Sequence, residues 1–564
     1  MRDNIVKITP IGGQAEMGKS MYCLEIENKL FIVDAGFRFP ESDKLGVDVI
    51  IPSFDYLKNN KDRIVAILIS HGHDDVMGAL PYLLQEISVP IYTTDLTADL
   101  IDQMLKRYLR HSNIRFHYQI KRVNMNASLK ISGVQVEFFP ITHSIPGSVG
   151  IAFLTKYGYI VYSGEFIIDF GAPSRFRCNI QKIMEIGKHG VLALLCESSY
   201  SKNDGYTSPK HKLTSKIESV FEDAPGRIII SSYAQNIFRT QEIVHLAKKY
   251  NRKIVFYGRD KYDNTNSLLR ISKNKSKPIL DIQEEDIAFK EDIANKKMAQ
   301  NLVILLSGSP RRIYHDILDI IGGGDEYLQL EENDTFIVAS PVLPGTEKIA
   351  NKAINELYKT DTHIHFIRNK ELSSMHASQE DIKVMLQILD PKYFIPMKGE
   401  YQHFIASSDL AKEMFIDDDR IAIIDNGETI TFKNGKLLDY RDSIEVEDIM
   451  IDGIGIGDVG VKVIDDRNQL QKDGVVIIGM TIDNKTKKTV ANTDVQTRGF
   501  IYLKDSENII KGIMDITESG LKEYQDSPRL DPVDVRLSIK DKVNKYIYKE
   551  TGKKPVILPI IIEL

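Results

Sequence analysis

The stretch IVAILISHGHDDV, residues 64–76, is an apolar β-branched run that ends in His71, His73, Asp74 and Asp75. Such a run reads as a strand, and the polar residues then sit where the chain leaves the sheet. Two histidines at i and i+2 can turn both imidazoles toward one point if the chain bends there. An acid two residues on can reach an adjacent point. Imidazole and carboxylate are common nitrogen and oxygen ligands of divalent metals. Two further strand ends supply candidates: His143 follows VQVEFFPIT, and Glu165 follows IVYSGE. A lone histidine after a strand is more often a capping or surface residue, but three of them with a carboxylate at successive strand ends point to a metal site.

The same pattern extends outward through the first 200 residues, where short apolar strands such as NKLFIVDAG end in small or polar residues, as in a layered α/β enzyme. From about Thr207 the texture becomes β–α–β: KLTSKIESVFED and QNIFRTQEIVHLAKKY read as helices, and GRIIISSYA, RKIVFYGR, NLVILLSGS and DTFIVASPV as strands of a parallel sheet. PKYFIPMKGEY resumes the first pattern. The Gly- and Asp-rich EVEDIMIDGIGIGDVG is expected to be a linker, and the last hundred residues a compact unit of three strands and two helices. At 564 residues the chain needs two or three domains. Three cysteines make no disulfide framework, no run approaches the ~18 apolar residues of a spanning helix, and the N-terminus lacks an apolar signal region, so a cytoplasmic protein is expected. The net charge of −6 carries no global sign of nucleic-acid binding, and composition alone favours a metabolic enzyme.

Longer segments carry a resemblance. GGQAEMGKSMYCLE, FIVDAGFRFPESDKLGVDVIIP, HGHDDVMGALPYLL, THSIPGSVG, SSMHASQEDIKVML, FIPMKGEY, TRGFIYL and KPVILPIIIEL are together similar to ribonuclease J, in the β-CASP branch of the metallo-β-lactamase superfamily. The resemblance implies an α/β fold: an αββα metallo-β-lactamase sandwich in two parts (1–206 and 365–446), an inserted Rossmann-like β-CASP domain (207–364), a linker (447–466) and a small α+β C-terminal oligomerisation domain (467–564). It assigns His71, His73 and His143 to one metal and matches the bridging acid to Glu165. It gives Asp75 to a second metal, and catalytic roles to Asp75, Glu197 and His376. Both imidazoles of that second site are missing, because Val76 and Lys398 stand where the family has histidines. At most one divalent ion, zinc or manganese, is therefore expected. The Lys398 ammonium is expected near Asp75 and Glu165, replacing the second ion's charge; the alternative is an exposed lysine.

Further departures are Phe238 in QNIFR, Gly147 in place of an acid, and Ser309-Pro310-Arg311-Arg312 in a loop that differs from the family pattern. The pattern is similar to the second, catalytically weakened paralogue that some bacteria carry beside a fully equipped one. What this implies is weak 5′-to-3′ exoribonuclease (possibly endonuclease) activity on 5′-monophosphorylated RNA, and assembly with an active paralogue. Ser232, Gln235, Asn236, Ser373, Ser374 and His376 are the expected RNA-binding residues, with helix capping an equal reading for 232–236. Arg239, Arg311 and Arg312 are candidates for phosphate contact. The competing class is an inactive structural subunit. A homodimer or higher oligomer is expected, with the apolar face of the C-terminal sheet covered either by a partner or by its own helices, and no membrane association.

Overall fold

A computed structural model describes residues 5–40, 44, 46–258, 279–294, 300–343, 345–368, 371–438, 441–453, 455–456, 461–483, 485–486, 488–500, 507–526 and 531–564. The chain divides into two units, one of residues 1–39 and 49–449 and one of residues 40–48 and 450–564.

The first unit is built on two facing sheets. One holds the strands Ile5–Gly12, Met21–Ile26, Lys29–Val33 and Ile64–Leu68 side by side. The other runs Pro391–Met397, Val191–Glu197, Gly158–Tyr162, Val149–Thr155, Val134–Pro140 and Ser128–Ile131. Successive residues of a strand point to opposite faces, and the second sheet shows why its strands are apolar throughout. Phe138, Ile151, Ile160 and Leu195 pack inward against Ile8, Leu24, Phe31 and Leu68. Their neighbours Phe139, Ala152, Val161 and Leu194 pack outward, with Ile183 and Ile186 of the helix Ile180–Lys188 and Ile382, Met385 and Leu386 of Gln379–Leu389. Strands buried on both faces cannot alternate with polar residues. The fold is the αββα metallo-β-lactamase sandwich.

The insertion is a parallel sheet in the order Lys253–Tyr257, Leu302–Gly308, Ile228–Tyr233, Thr335–Val338 and His363–Phe366. The chain leaves Ile228–Tyr233 toward one edge of the sheet and later returns to pair on its other side. The carboxyl ends flanking that strand are therefore a topological switch point, where crevices form.

In the second unit, Val475–Ile482 pairs antiparallel with Thr489–Arg498 and parallel with Val556–Glu563. The helices Glu507–Asp526 and Pro532–Thr551 cover one face through Ile513, Leu521, Ile539, Val543 and Ile547. The stretch 447–466, expected as a linker, carries the strand Asp448–Asp452 and the start of the helix Val461–Asp473. In that strand Ile451 is buried and the Asp448 carboxylate pairs with Lys19 and Arg38. No helix among the described residues is long and apolar enough to cross a membrane.

Candidate metal centre

Parallel pairing of Lys29–Val33 with Ile64–Leu68 sets Val33 opposite Leu68, so Asp34 and Ser70 leave the sheet together. The Ser70 N–H and hydroxyl donate to the two Asp34 oxygens at 2.8 and 3.1 Å, and the Tyr162 hydroxyl donates to Asp34 as well. With its proton on Asp34, the Ser70 oxygen accepts from His71 Nδ1–H at 3.0 Å. His143 Nδ1–H donates to the Met375 carbonyl at 2.9 Å, and His73 Nε2–H donates to the Gln235 carbonyl at 3.2 Å. A carbonyl can only accept, so these partners fix the tautomers. His71 Nε2, His73 Nδ1 and His143 Nε2 are left as bare lone pairs turned toward one another and toward Glu165.

Those four ligand atoms lie within 4.8 Å of one another. Neighbouring pairs are 3.1 Å (His71–His73), 3.3 Å (His73–His143), 3.2 Å (His143–Glu165) and 3.7 Å (His71–Glu165) apart. Four donors set tetrahedrally at ~2.0–2.1 Å from an ion lie roughly 3.3 Å apart, so the set fits one divalent metal. Burial keeps His71 and His73 neutral, as ligands must be: it pushes His71 well below its ordinary range and His73 down to about 3.

Lys398 follows the strand Pro391–Met397, whose Met397 is in register with Glu197. It is a non-glycine residue at φ +55, and Asp34 is another at φ +62. The left-handed conformation costs roughly 1–2 kcal/mol per residue, and here each bend turns a charged group into the site. The Lys398 carbonyl is held by Ser198 N–H at 3.3 Å and Ser199 O–H at 3.2 Å. Its buried Nζ donates to Glu165 Oε1 at 2.6 Å and lies 4.0 Å from Asp34. Burial opposes the charge, but Glu165, Asp34 and Asp75 outweigh it and hold the ammonium well above the lysine range. Burial and the neighbouring Glu165 carboxylate push Asp75 up. Asp75 borders the cavity but lies outside the four-ligand set. Val76 is buried and apolar.

Behind the cluster, Glu197 Oε2 accepts from His376 Nδ1–H at 2.9 Å, and its Oε1 accepts from the Ala377 N–H at 3.2 Å. Burial works against the imidazolium, yet Glu197 and Glu165 raise His376 to about 10.

The cluster is at the floor of a cavity of about 340 Å³ bordered by His73, Asp75, His143, Glu165, His376 and Lys398, and across it by the insertion's Gln235 and Asn236. Ser374 lines it; Ser373 and Ser232 do not. Ser373 instead hydrogen-bonds through its backbone to Lys210, and Ser232 is buried in its strand. Asn236 is first of all a cap, accepting from Arg239 N–H at 2.9 Å at the start of Ile237–Lys249. Arg239 does not line the cavity: it is buried, donates to the Ala339 carbonyl at 3.0 Å, and burial lowers it to about 10. Arg312 is paired with Asp316 at 2.8 Å, while Arg311 is exposed. Phe238 packs between Phe176 and His211. Gly147 serves a turn at φ +84 whose carbonyl accepts from Thr94. Sequence reasoning did not single out Asp34, Ser70, Tyr162 or Ser144, whose hydroxyl lies 3.2 Å from His73 Nε2. Asp34, Ser70 and Tyr162 stand at strand ends, the same signal that marked the histidines.

Profiles of known families match along the chain: the metallo-β-lactamase superfamily at 16–173, the ribonuclease J β-CASP domain at 225–357, a Zn-dependent metallo-hydrolase RNA specificity domain at 364–418 and the ribonuclease J C-terminal domain at 462–564. Among curated proteins, ribonuclease J2 of Bacillus subtilis (strain 168) is 33% identical over 559 residues, 99% of each chain. Ribonuclease J 2 of Staphylococcus aureus (strain NCTC 8325 / PS 47) is 31% identical over 563 residues, covering 99% of this chain and 98% of that one. A crystal structure of a protein of unknown function from Enterococcus faecalis V583 shares the fold at a TM-score of 0.51 and 16% identity, covering 76% of this chain and 100% of that one.

Proposed function

Because the chain belongs to the ribonuclease J family, we propose that it is a slow, one-metal 5′-to-3′ exoribonuclease for 5′-monophosphorylated RNA, in which the Lys398 ammonium stands in for a second ion. The observation that carries this reading is the buried Lys398–Glu165 contact at 2.6 Å. A cation already occupies the carboxylate that would bridge two metals, and Val76 offers no lone pair to hold another.

His71, His73, His143 and Glu165 would hold the ion, zinc or manganese. Once bound, it would supply a polarised phosphoryl oxygen and a water of lowered pKa. The chain's own groups do the rest. Lys398 adds a fixed positive charge beside Glu165 that would oppose negative charge developing on the phosphate, but an ammonium has no lone pair and cannot activate a water as an ion would. Each ~1.4 kcal/mol of stabilisation lost in this way is about tenfold in rate. His376, anchored through Nδ1 on Glu197, keeps Nε2–H for a phosphate or leaving oxygen. Ser374, Gln235 and Asn236 add neutral donors around the strand.

The second reading, a structural subunit assembled with a two-metal paralogue, is favoured by the buried apolar Val76 and by the C-terminal sheet, whose terminal strand exposes Leu558, Ile560 and Ile562 in a row. Metal analysis of the purified chain, paired with decay of 5′-monophosphorylated RNA in Mn²⁺, separates the two. About one ion per chain and slow decay, both lost in His71→Ala, are expected on the enzymatic reading. Decay no faster than the His71→Ala background leaves the subunit reading. Two tightly held ions with rapid decay would reject the Lys398 substitution.

A further inference from the structure

Phe39 and Met17 border the same cavity, and each is 48% exposed. Core packing does not account for two large apolar side chains in water at the edge of a polar site. Nor is Phe39 loosely placed. Arg38 and Ile50 exchange both backbone hydrogen bonds, at 2.9 and 2.8 Å. The Arg38 guanidinium is held between Glu16 at 3.2 Å and Asp448 at 2.7 Å. Lys19 pairs with the same two carboxylates, and its N–H donates to the Phe37 carbonyl at 3.0 Å. Phe37 is buried and meets the Phe39 ring edge-on, centroids 5.3 Å apart at 75°. Its own N–H donates to the Asp74 carbonyl at 3.1 Å, beside the ligand His73. A half-exposed ring is thus backed by a second ring and locked to the turn that carries the metal cluster.

We propose that Phe39, backed by Phe37 and flanked by Met17, is a stacking platform for an unpaired nucleobase of the strand whose phosphodiester lies over the His71, His73, His143 and Glu165 cluster. The inference rests on the RNA reading above and adds the group that grips the base. The cavity asks for a ligand that is anionic at one end and flat and apolar at the other, and a single-stranded nucleotide is both. Every base presents a π face, so a phenyl ring and a thioether hold the strand without reading sequence. The neighbouring positions argue against an apolar protein partner here, because Met17 and Phe39 adjoin, in the chain, Glu16 and Arg38, which form an ion-pair network with Lys19 and Asp448.

The test is binding of a short fluorescent 5′-monophosphorylated oligoribonucleotide to the full chain, in chelator so that nothing is cleaved. Phe39→Ala and Phe39→Leu are expected to weaken binding about tenfold, and Phe39→Tyr to stay within about twofold. A second probe set replaces each nucleotide near the 5′ end in turn with an abasic ribose. At one position the wild type should lose about as much as Phe39→Ala does, and the variant should lose nothing more. Additive losses at every position, or unchanged binding in Phe39→Ala, would overturn the platform while leaving the RNA reading intact. A wild-type chain that binds none of these RNAs would remove both.

Discussion

Lys398 is the residue on which the proposed chemistry turns. Its Nζ lies among Glu165, Asp34 and Asp75, and removing one partner of a buried ion pair costs about 3–5 kcal/mol. Lys398→Met, which keeps the volume and drops the charge, should lower the melting temperature markedly. The abandoned carboxylates should then accept a cation, so Mn²⁺ should restore more stability to the variant than it adds to the wild type. Equal Mn²⁺ effects on both would mean that the ammonium is not filling an ion's place. One shell out, Ser70 fixes the His71 tautomer through Asp34. Loss of such a partner typically costs 10–100-fold in metal affinity. Ser70→Ala should therefore weaken zinc binding by about that factor in competition titrations, with the fold intact by circular dichroism.

Among elements, the turn Asp74–Met77 and the loop after Lys29–Val33 approach more closely than side chains allow. A Cβ at Gly36 would fall onto the Asp75 carbonyl, and the Ala35 and Phe37 N–H groups donate to the Val76 and Asp74 carbonyls across this seam. Gly36→Ala should displace the turn and reduce both thermal stability and metal uptake; a variant melting like the wild type would contradict the packing. The loop holding Phe39 is tied to the strand Asp448–Asp452 by charge. Burial raises the Asp448 carboxyl, but Lys19 and Arg38 more than offset it and hold it below the usual carboxylate range. A group held low contributes stability fully above its unfolded pKa, near ~4, and loses that contribution as pH falls through the folded value. Wild type and Asp448→Asn should therefore differ most in stability near neutral pH and converge below about pH 4; a gap that does not change with pH would dismiss the network. Helix and strand positions here were readable from period and turn chemistry. Whether Asn236 caps or binds was not, because a cap and a phosphate donor share the same signature; in the fold its Oδ1 is the cap for Arg239 N–H, and only its amide N–H groups enter the proposed RNA contact.

For the molecule as a whole, the second unit ends in a strand that has one neighbour among the described residues and three exposed apolar side chains, Leu558, Ile560 and Ile562. Open strand edges with an apolar face favour pairing with another chain. We propose that this edge joins a second chain: Ile560→Asp should then shift the purified protein toward monomer in sedimentation without altering RNA decay per chain, and a wild type already monomeric, or an unchanged oligomer, would reject the contact. The layered architecture, the parallel insertion and the metal-ligand residue types were legible in the linear chain. Hydrophobic period and strand ends are local properties, and His71, His73, His143 and Glu165 each announce themselves beside their own strand. Folding alone decided which lone pairs turn toward one another, since His143 takes its tautomer from a carbonyl 232 residues away. It also decided that Lys398 meets Glu165, 233 residues distant, and that Arg239 is buried away from the cavity while Phe39 stands at its edge. These are matters of three-dimensional proximity and burial, and no window of sequence contains them.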